Sequence, residues 1–254
     1  MKKIIQNYKA AKALFVLPLM LVLTIGAFIF LMSSGVSADG STINVPSDYS
    51  TIQDAIDDNG TVNGDIISLD SNYSHNGARV VVDKSLTIEG NDQTINGGID
   101  IEGGVDVVIN NLNIDSIDPD DINSFSSLSS SDSEWVVVGV KSGKLTATNF
   151  DIVQERNDDE EKINLVGISV QAGAELVLED SSFDLSNINN GIVYGVYAQG
   201  GSDKVALNNN EFDLFSDRRI AFVATGSFTE EEKPTIDNIN NTLNPSGEGP
   251  HFML

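Results

Sequence analysis

The chain has 254 residues, no cysteine, and 38 acidic against 14 basic side chains, a formal charge of −24 at pH 7. That balance excludes DNA or RNA as a partner, because phosphate binding needs a basic face. Without cysteine there are no disulfides, thiolate zinc sites, iron–sulfur clusters or cysteine nucleophiles.

Residues 1–38 read apart from the rest. Lys2, Lys3, Lys9 and Lys12 precede an uncharged apolar run from Ala13 to Met32, and Val36-Ser37-Ala38 is similar to an A-x-A signal-peptidase site. The run is long enough to span a bilayer. Residues 1–38 are therefore expected to be a signal peptide or an uncleaved N-terminal membrane anchor, with the membrane met only through residues 13–32. Either way residues 39–254 lie outside, since the lysines stay cytoplasmic. The expected location is extracellular or at the cell surface. All 38 acids, but only ten of the basic residues, lie beyond Ala38.

Ile43 to Pro46 reads as a first short strand. Ser50 to Ile56 reads as a short helix, with Ser50 as N-cap and Gln53 completing a capping box. Its apolar face, Ile52, Ala55 and Ile56, suits it to cover the end of a stacked sheet. Strands are expected at Ile66–Leu69, Arg79–Val82, Leu86–Ile88 and Ile99–Ile101, with glycine corners between them. Val105 to Ile114 is a weak copy of a unit that recurs more clearly over Val136 to Leu214. Gly139, Gly167 and Gly195 are 28 residues apart, and Phe-Asp pairs at Phe150, Phe183 and Phe212 follow at 33 and 29. Such a period marks a repeat array. Within each copy, alternation such as Leu176, Leu178 has strand spacing. The three phenylalanines are expected to stack inside, and Asp151, Asp184 and Asp213 to face solvent. Asn before the aromatic (Asn110 and Asn111, Asn149, Asn208 to Asn210) suits left-handed corners and a stacked ladder; the second copy departs from this with Ser181 and Ser182.

Two polar insertions, Asp115 to Glu134 and Gln154 to Asn164, leave equivalent points of the repeat and should project on one face. Loops on a rigid scaffold concentrate binding. Trp135, the only tryptophan, is a candidate stacking platform for a sugar ring, against the reading that it simply re-enters the strand at Val136. Asp118, Asp120 and Asp121 are candidate calcium ligands without ordered ligand spacing; no other cofactor is indicated. The run Asp158, Asp159, Glu160, Glu161 reads as a solvated loop. His75 and His251 read as ordinary turn and tail histidines.

At Asp48-Tyr49-Ser50-Thr51-Ile52-Gln53-Asp54-Ala55-Ile56, then Gly64-Asp65-Ile66-Ile67 and Lys84-Ser85-Leu86-Thr87-Ile88-Glu89-Gly90, the chain resembles the right-handed parallel β-helix proteins of the pectate-lyase-like superfamily. The resemblance covers most of residues 43–243. It implies an all-β, right-handed parallel solenoid with a short N-terminal capping helix over residues 39–254. Esterases of that fold carry G-x-Y-x-E, of which Ser71-Asn72-Tyr73-Ser74-His75 keeps only the tyrosine. Their Leu-Gly-Arg-Pro-Trp segment and the Gly-His-Gly and Arg-Ile-Lys motifs of polygalacturonases do not occur. No lyase motif surrounds Arg79, Arg156, Arg218 or Arg219. The expectation is an exported, acidic, non-catalytic, adhesin-like module binding a glycan or a cell-surface or host protein; the alternative is a divergent uronan or pectin lyase or hydrolase.

Overall fold

The computed structural model describes residues 40–75, 77–115, 134–156, 164–187, 191–199, 204–216, 218–225, 237–239, 242–245 and 252–253. Residues 1–38 lie outside them, so the signal or anchor expectation does too. Among the described residues no helix is long and apolar enough to cross a membrane.

The described chain is all-β with one short helix, α1 (Ile52–Asp57). One sheet runs in the order β1 (Thr42–Val45), β2 (Ile66–Leu69), β4 (Thr87–Ile95), β6 (Asp106–Asp115), β8 (Gly143–Arg156), β10 (Ala174–Glu179), β13 (Lys204–Asn208) and β16 (Asp237–Ile239). Beside its far half, β8 also pairs with β11 (Ser182–Asn187), which leads to β14 (Glu211–Phe215) and β17 (Thr242–Pro245). The other sheet runs β3 (Val80–Val82), β5 (Ile99–Ile101), β7 (Glu134–Val140), β9 (Asn164–Val170), β12 (Ile192–Gln199), β15 (Arg218–Thr225) and β18 (Phe252–Met253). From β2 onward the chain passes back and forth between the two sheets, with β10–β11, β13–β14 and β16–β17 each giving two successive strands to the first, and every pairing between described strands is parallel.

Alternation explains the strands. In β10, Ala174, Leu176 and Leu178 are buried while Glu175, Val177 and Glu179 are only partly so. Alternate side chains face opposite sides of a strand, and in-register stacking lines up like with like: Val107, Leu145, Leu176 and Val205 form one buried row. A single continuous apolar core draws on both sheets and on α1. No single strand could bury this face alone, so neighbouring parallel strands and the facing sheet stabilise one another.

A corner in the first sheet is made by one polar residue in the left-handed region. Asn111 (φ 51), Asn149 (φ 50), Asp180 (φ 49) and Asn209 (φ 55) occupy one register position along the parallel strands, with Asn91 and Asp92 at the bulged start. Asn and Asp tolerate this backbone better than other residues with a Cβ. Their side chains also bond along the stack, Asn149 Nδ2 to Asn111 Oδ1 at 3.0 Å and Asn209 Nδ2 to Asp180 Oδ1 at 2.5 Å. The expected ladder is present only as two separate pairs, since among the described residues no side-chain hydrogen bond links Asn149 to Asp180.

Three sequence expectations need correcting. The helix N-cap is Thr51, whose hydroxyl accepts from the Asp54 amide at 3.0 Å, while Ser50 Oγ instead donates to Asp54 Oδ2. Gln53 does not turn back to the cap. Its amide reaches the backbone of β3, accepting from Val81 N at 2.8 Å and donating to Val81 O at 3.3 Å.

The 28-residue glycine period is coincidental at its first step. Val138 pairs with Ile168, so Gly139 stands beside Ser169, and Gly167 falls at the level of Val137. Gly167 and Gly195 are true equivalents, because Ile168 pairs with Val196. A Cβ at Gly167 would sit 2.9 Å from Phe183 Cδ1, and one at Gly195 would sit 2.7 Å from Phe212 Cδ1. Each glycine makes room for the phenylalanine that follows it.

The phenylalanines are all buried, as expected, but they do not form one stack. Phe183 and Phe212 are register partners with ring centroids 4.9 Å apart, whereas Phe183 faces Ile152, not Phe150. After the corner residue, Phe150 comes at once, while Asp180 and Asn209 are followed by Ser181 and Asn210. These small polar residues fill the corner and satisfy its backbone: Ser181 Oγ accepts from Phe150 N at 3.1 Å, and Asn210 Oδ1 accepts from Ser181 N at 3.0 Å. Buried polar groups must be paired, and the two coils have exchanged an aromatic plug for a hydrogen-bonded one.

Candidate functional site

The far half of the first sheet presents an outward face ruled by its register. Thr94, Asn113 and Asp151 form one row, continued beside Ser182 and Glu211. Asp115, Val153, Asp184 and Asp213 form the next, and Glu155, Ser186 and Phe215 a third. Rows in parallel strands repeat at about 4.8 Å. The inward partners, Ile114, Ile152, Phe183, Leu185, Phe212 and Leu214, are buried and anchor the strands that carry the outward groups. Val153 (42 % exposed) and Phe215 (50 % exposed) stand among the carboxylates as exposed apolar surface.

This face is strongly acidic. Asp151 is tied down, its Oδ1 accepting from Ser182 N at 2.9 Å and from Ser182 Oγ at 2.7 Å. Among the described residues Asp184 accepts no such hydrogen bond. Reduced hydration first, then the charges of Asp213 and Glu155, hold its carboxyl above the ordinary aspartate value. The face therefore repels further negative charge.

At the N-terminal end of the same rows lies a cleft of about 330 Å3, lined by Tyr73, Ser74, His75, Thr94, Asn96 and Asp115. The segment after β2, the end of β4 and the end of β6 build it. Tyr73 is the buried residue of the group, its ring centroid 6.2 Å from that of His75. His75 Nδ1 lies 2.9 Å from Asn96 Oδ1 and 3.2 Å from the Gly77 amide nitrogen, and Nε2 has no hydrogen-bond partner among the described residues. Partial burial pulls the imidazole below its ordinary value, against the bond to Asn96, so the ring is neutral at pH 7. Gly97 allows the loop to lie this close, because a Cβ there would stand 2.5 Å from His75 Cε1.

The second sheet carries a different polar cluster. Arg79 Nη2 donates to Asp100 Oδ1 at 2.6 Å and Nη1 to Val136 O at 3.0 Å, while Lys141 bridges Asp100 Oδ2, at 2.9 Å, and Glu102. The Arg79 and Asp100 side chains are each only 6 % exposed. Every charge in the cluster faces an opposite one, as a structural clamp across neighbouring strands requires.

Trp135 is 9 % exposed, belongs to the continuous core, and shares an inward register row with Leu165 and Val193. Asp118, Asp120 and Asp121, the run from Asp158 to Glu161, and His251 lie outside the described residues. Among the described residues no group of three or more His, Asp or Glu is placed to hold a metal ion.

The sequence gives no local sign of the His75 cleft. Its members are spread from Tyr73 to Asp115 with no motif spacing, and only the pairing of Thr94 with Asn113 and Ile95 with Ile114 brings Asn96 beside Asp115. Compared with protein-family models, characterised proteins and solved structures, the chain matches none.

Proposed function

We propose that this protein is an exported right-handed parallel β-helix of the pectate-lyase-like kind, with α1 as its N-terminal cap, acting at the cell surface as a non-catalytic glycan-binding module. The observation that carries this reading is the outward face of β8, β11 and β14, where rigid rows of hydrogen-bonding side chains repeat with the strand spacing. A regular, pre-organised surface suits an extended polymer whose groups also repeat, because little ordering cost is added on binding. Exposed Val153 and Phe215 supply apolar contact for sugar faces. The carboxylates favour a neutral or amine-bearing glycan and oppose a uronan.

The test is to pass the full chain over immobilised neutral glucan, chitosan and polygalacturonate, with and without calcium, and to assay each polymer for newly formed chain ends. Retention on the neutral or amine-bearing polymer without new ends is expected. Unsaturated ends from polygalacturonate, lost when one carboxylate is changed, would establish the uronan-lyase alternative instead.

A further inference from the structure

We propose that the His75 cleft is a terminal subsite that binds one neutral sugar residue through its hydroxyl groups. This rests on the glycan-binding reading above and adds the place and the chemistry of recognition. The cleft lies where the rows of the acidic face end: Asp115 belongs both to the cleft lining and to the row of Val153, Asp184 and Asp213. A polymer laid along those rows brings an end residue to His75. The cleft's volume, about 330 Å3, is at the small end of the range for ligand pockets, about 300–1,000 Å3, and suits one ring rather than several.

The lining selects for hydroxyls. Ser74 and Thr94 carry groups that both donate and accept, and the Asn96 amide does each with a different atom. His75 does one or the other according to tautomer. If Nδ1–H donates to Asn96 Oδ1, Nε2 is an acceptor; if Nδ1 accepts from the Gly77 amide, Nε2 carries the proton. A ligand hydroxyl satisfies Nε2 in both cases, whereas a carboxylate can only accept and an ammonium can only donate. Asp115 places a carboxylate in the lining, which disfavours a uronate beside it. The Tyr73 and His75 rings provide apolar surface beside these polar groups, the combination that amphipathic sugar rings require. His75 is neutral at pH 7, so the cleft has no fixed cation to attract an anion.

Histidine ring signals give a direct readout, because His75 and His251 are the only histidines; a His251→Ala background leaves one. In that background the full chain is titrated with methyl glucoside, methyl galactoside and methyl mannoside, with methyl glucosaminide, and with methyl galacturonate. A saturable shift of the His75 ring signals is expected with at least one neutral glycoside and none with the galacturonate. Asn96→Ala, at an exposed position, should weaken that binding about tenfold, the effect of losing one well-made hydrogen bond, with the melting temperature unchanged. Retention of a polymer by the wild type with no response of His75 to any neutral glycoside would overturn the inference and leave the glycan-binding reading standing. A response to neutral glycosides in a protein that retains no polymer would support the cleft and defeat the polymer reading. Binding of galacturonate as strong as the neutral glycosides, or of glucosaminide alone, would overturn recognition through hydroxyls.

Discussion

Asn149 donates from its side-chain amide to Asn111 Oδ1 at 3.0 Å, and both residues hold the left-handed backbone at φ near 50°. The pair thus fixes the corner twice, once through conformation and once through a bond along the stack. Asn149→Val should lose both and cost about 1–2 kcal/mol, the scale of forcing a β-branched residue into that region. Asn149→Gly keeps the backbone and gives up only an exposed bond, so it should cost less. Urea unfolding of the two variants checks the order; equal losses would show that the left-handed corner is not what Asn149 supplies.

Phe183 is buried against Phe212 and over Gly167. Phe183→Ala should cost about 3–5 kcal/mol, as for other buried aromatic truncations. Gly167→Ala should cost about 1–3 kcal/mol by overpacking, since its Cβ would lie 2.7 Å from Gly195 O as well as 2.9 Å from the Phe183 ring. In Phe183→Leu the ring edge is gone, so part of the Gly167→Ala penalty should be relieved. A double-mutant cycle by denaturant melts measures that coupling, and additivity of the two changes would contradict the packing assigned here.

Asp184 gives a pH dependence with a definite sign. Its folded carboxyl titrates above the unfolded value because of reduced hydration and the charges of Asp213 and Glu155. The native state therefore holds more protons than the unfolded one between the two values, and stability falls as pH rises through that window. Asp184→Asn removes the penalty. It should melt slightly higher than the wild type at pH 7, and the gain should shrink on acidification and vanish below the unfolded aspartate value of about 3.9. A gain that grew toward acid pH would reverse the sign and the assignment.

Arg79 and Asp100 form a pair with both side chains nearly removed from water. Arg79→Met leaves Asp100 facing only Lys141 and should cost about 3–5 kcal/mol, the usual cost of stranding a buried charge. Arg79→Met with Asp100→Leu removes both charges and should recover much of that loss. Thermal melts of the single and double variants decide it; a double variant as unstable as the single one would mean that the pair does more than balance charge.

Much of the fold could be read locally. Alternation at Leu176 and Leu178 located a strand and its buried face, and Asn149 marked a left-handed corner. Register could not be read in the same way, because it is set by contacts between coils. The even spacing of Gly139, Gly167 and Gly195 suggested one column, yet Gly139 belongs beside Ser169, since insertions of unequal length separate the copies. Likewise Ser181 takes the corner position that Phe150 fills one coil earlier, which displaced Phe183 from the expected stack. The candidate site shows the same limit. Asp184 and Asp213 were legible as outward residues, but the meeting of His75, Asn96 and Asp115 depends wholly on that register.

The proposed function requires a glycan to lie along the outward face of β8, β11 and β14. The most direct measurement is retention, on whichever neutral or amine-bearing polymer holds the wild type, of a variant carrying Asp184→Arg and Asp213→Arg. Both positions are exposed, so the melting temperature should change little, while two long cations in the middle row should block the face and abolish retention. Undiminished retention by a folded variant would contradict the account.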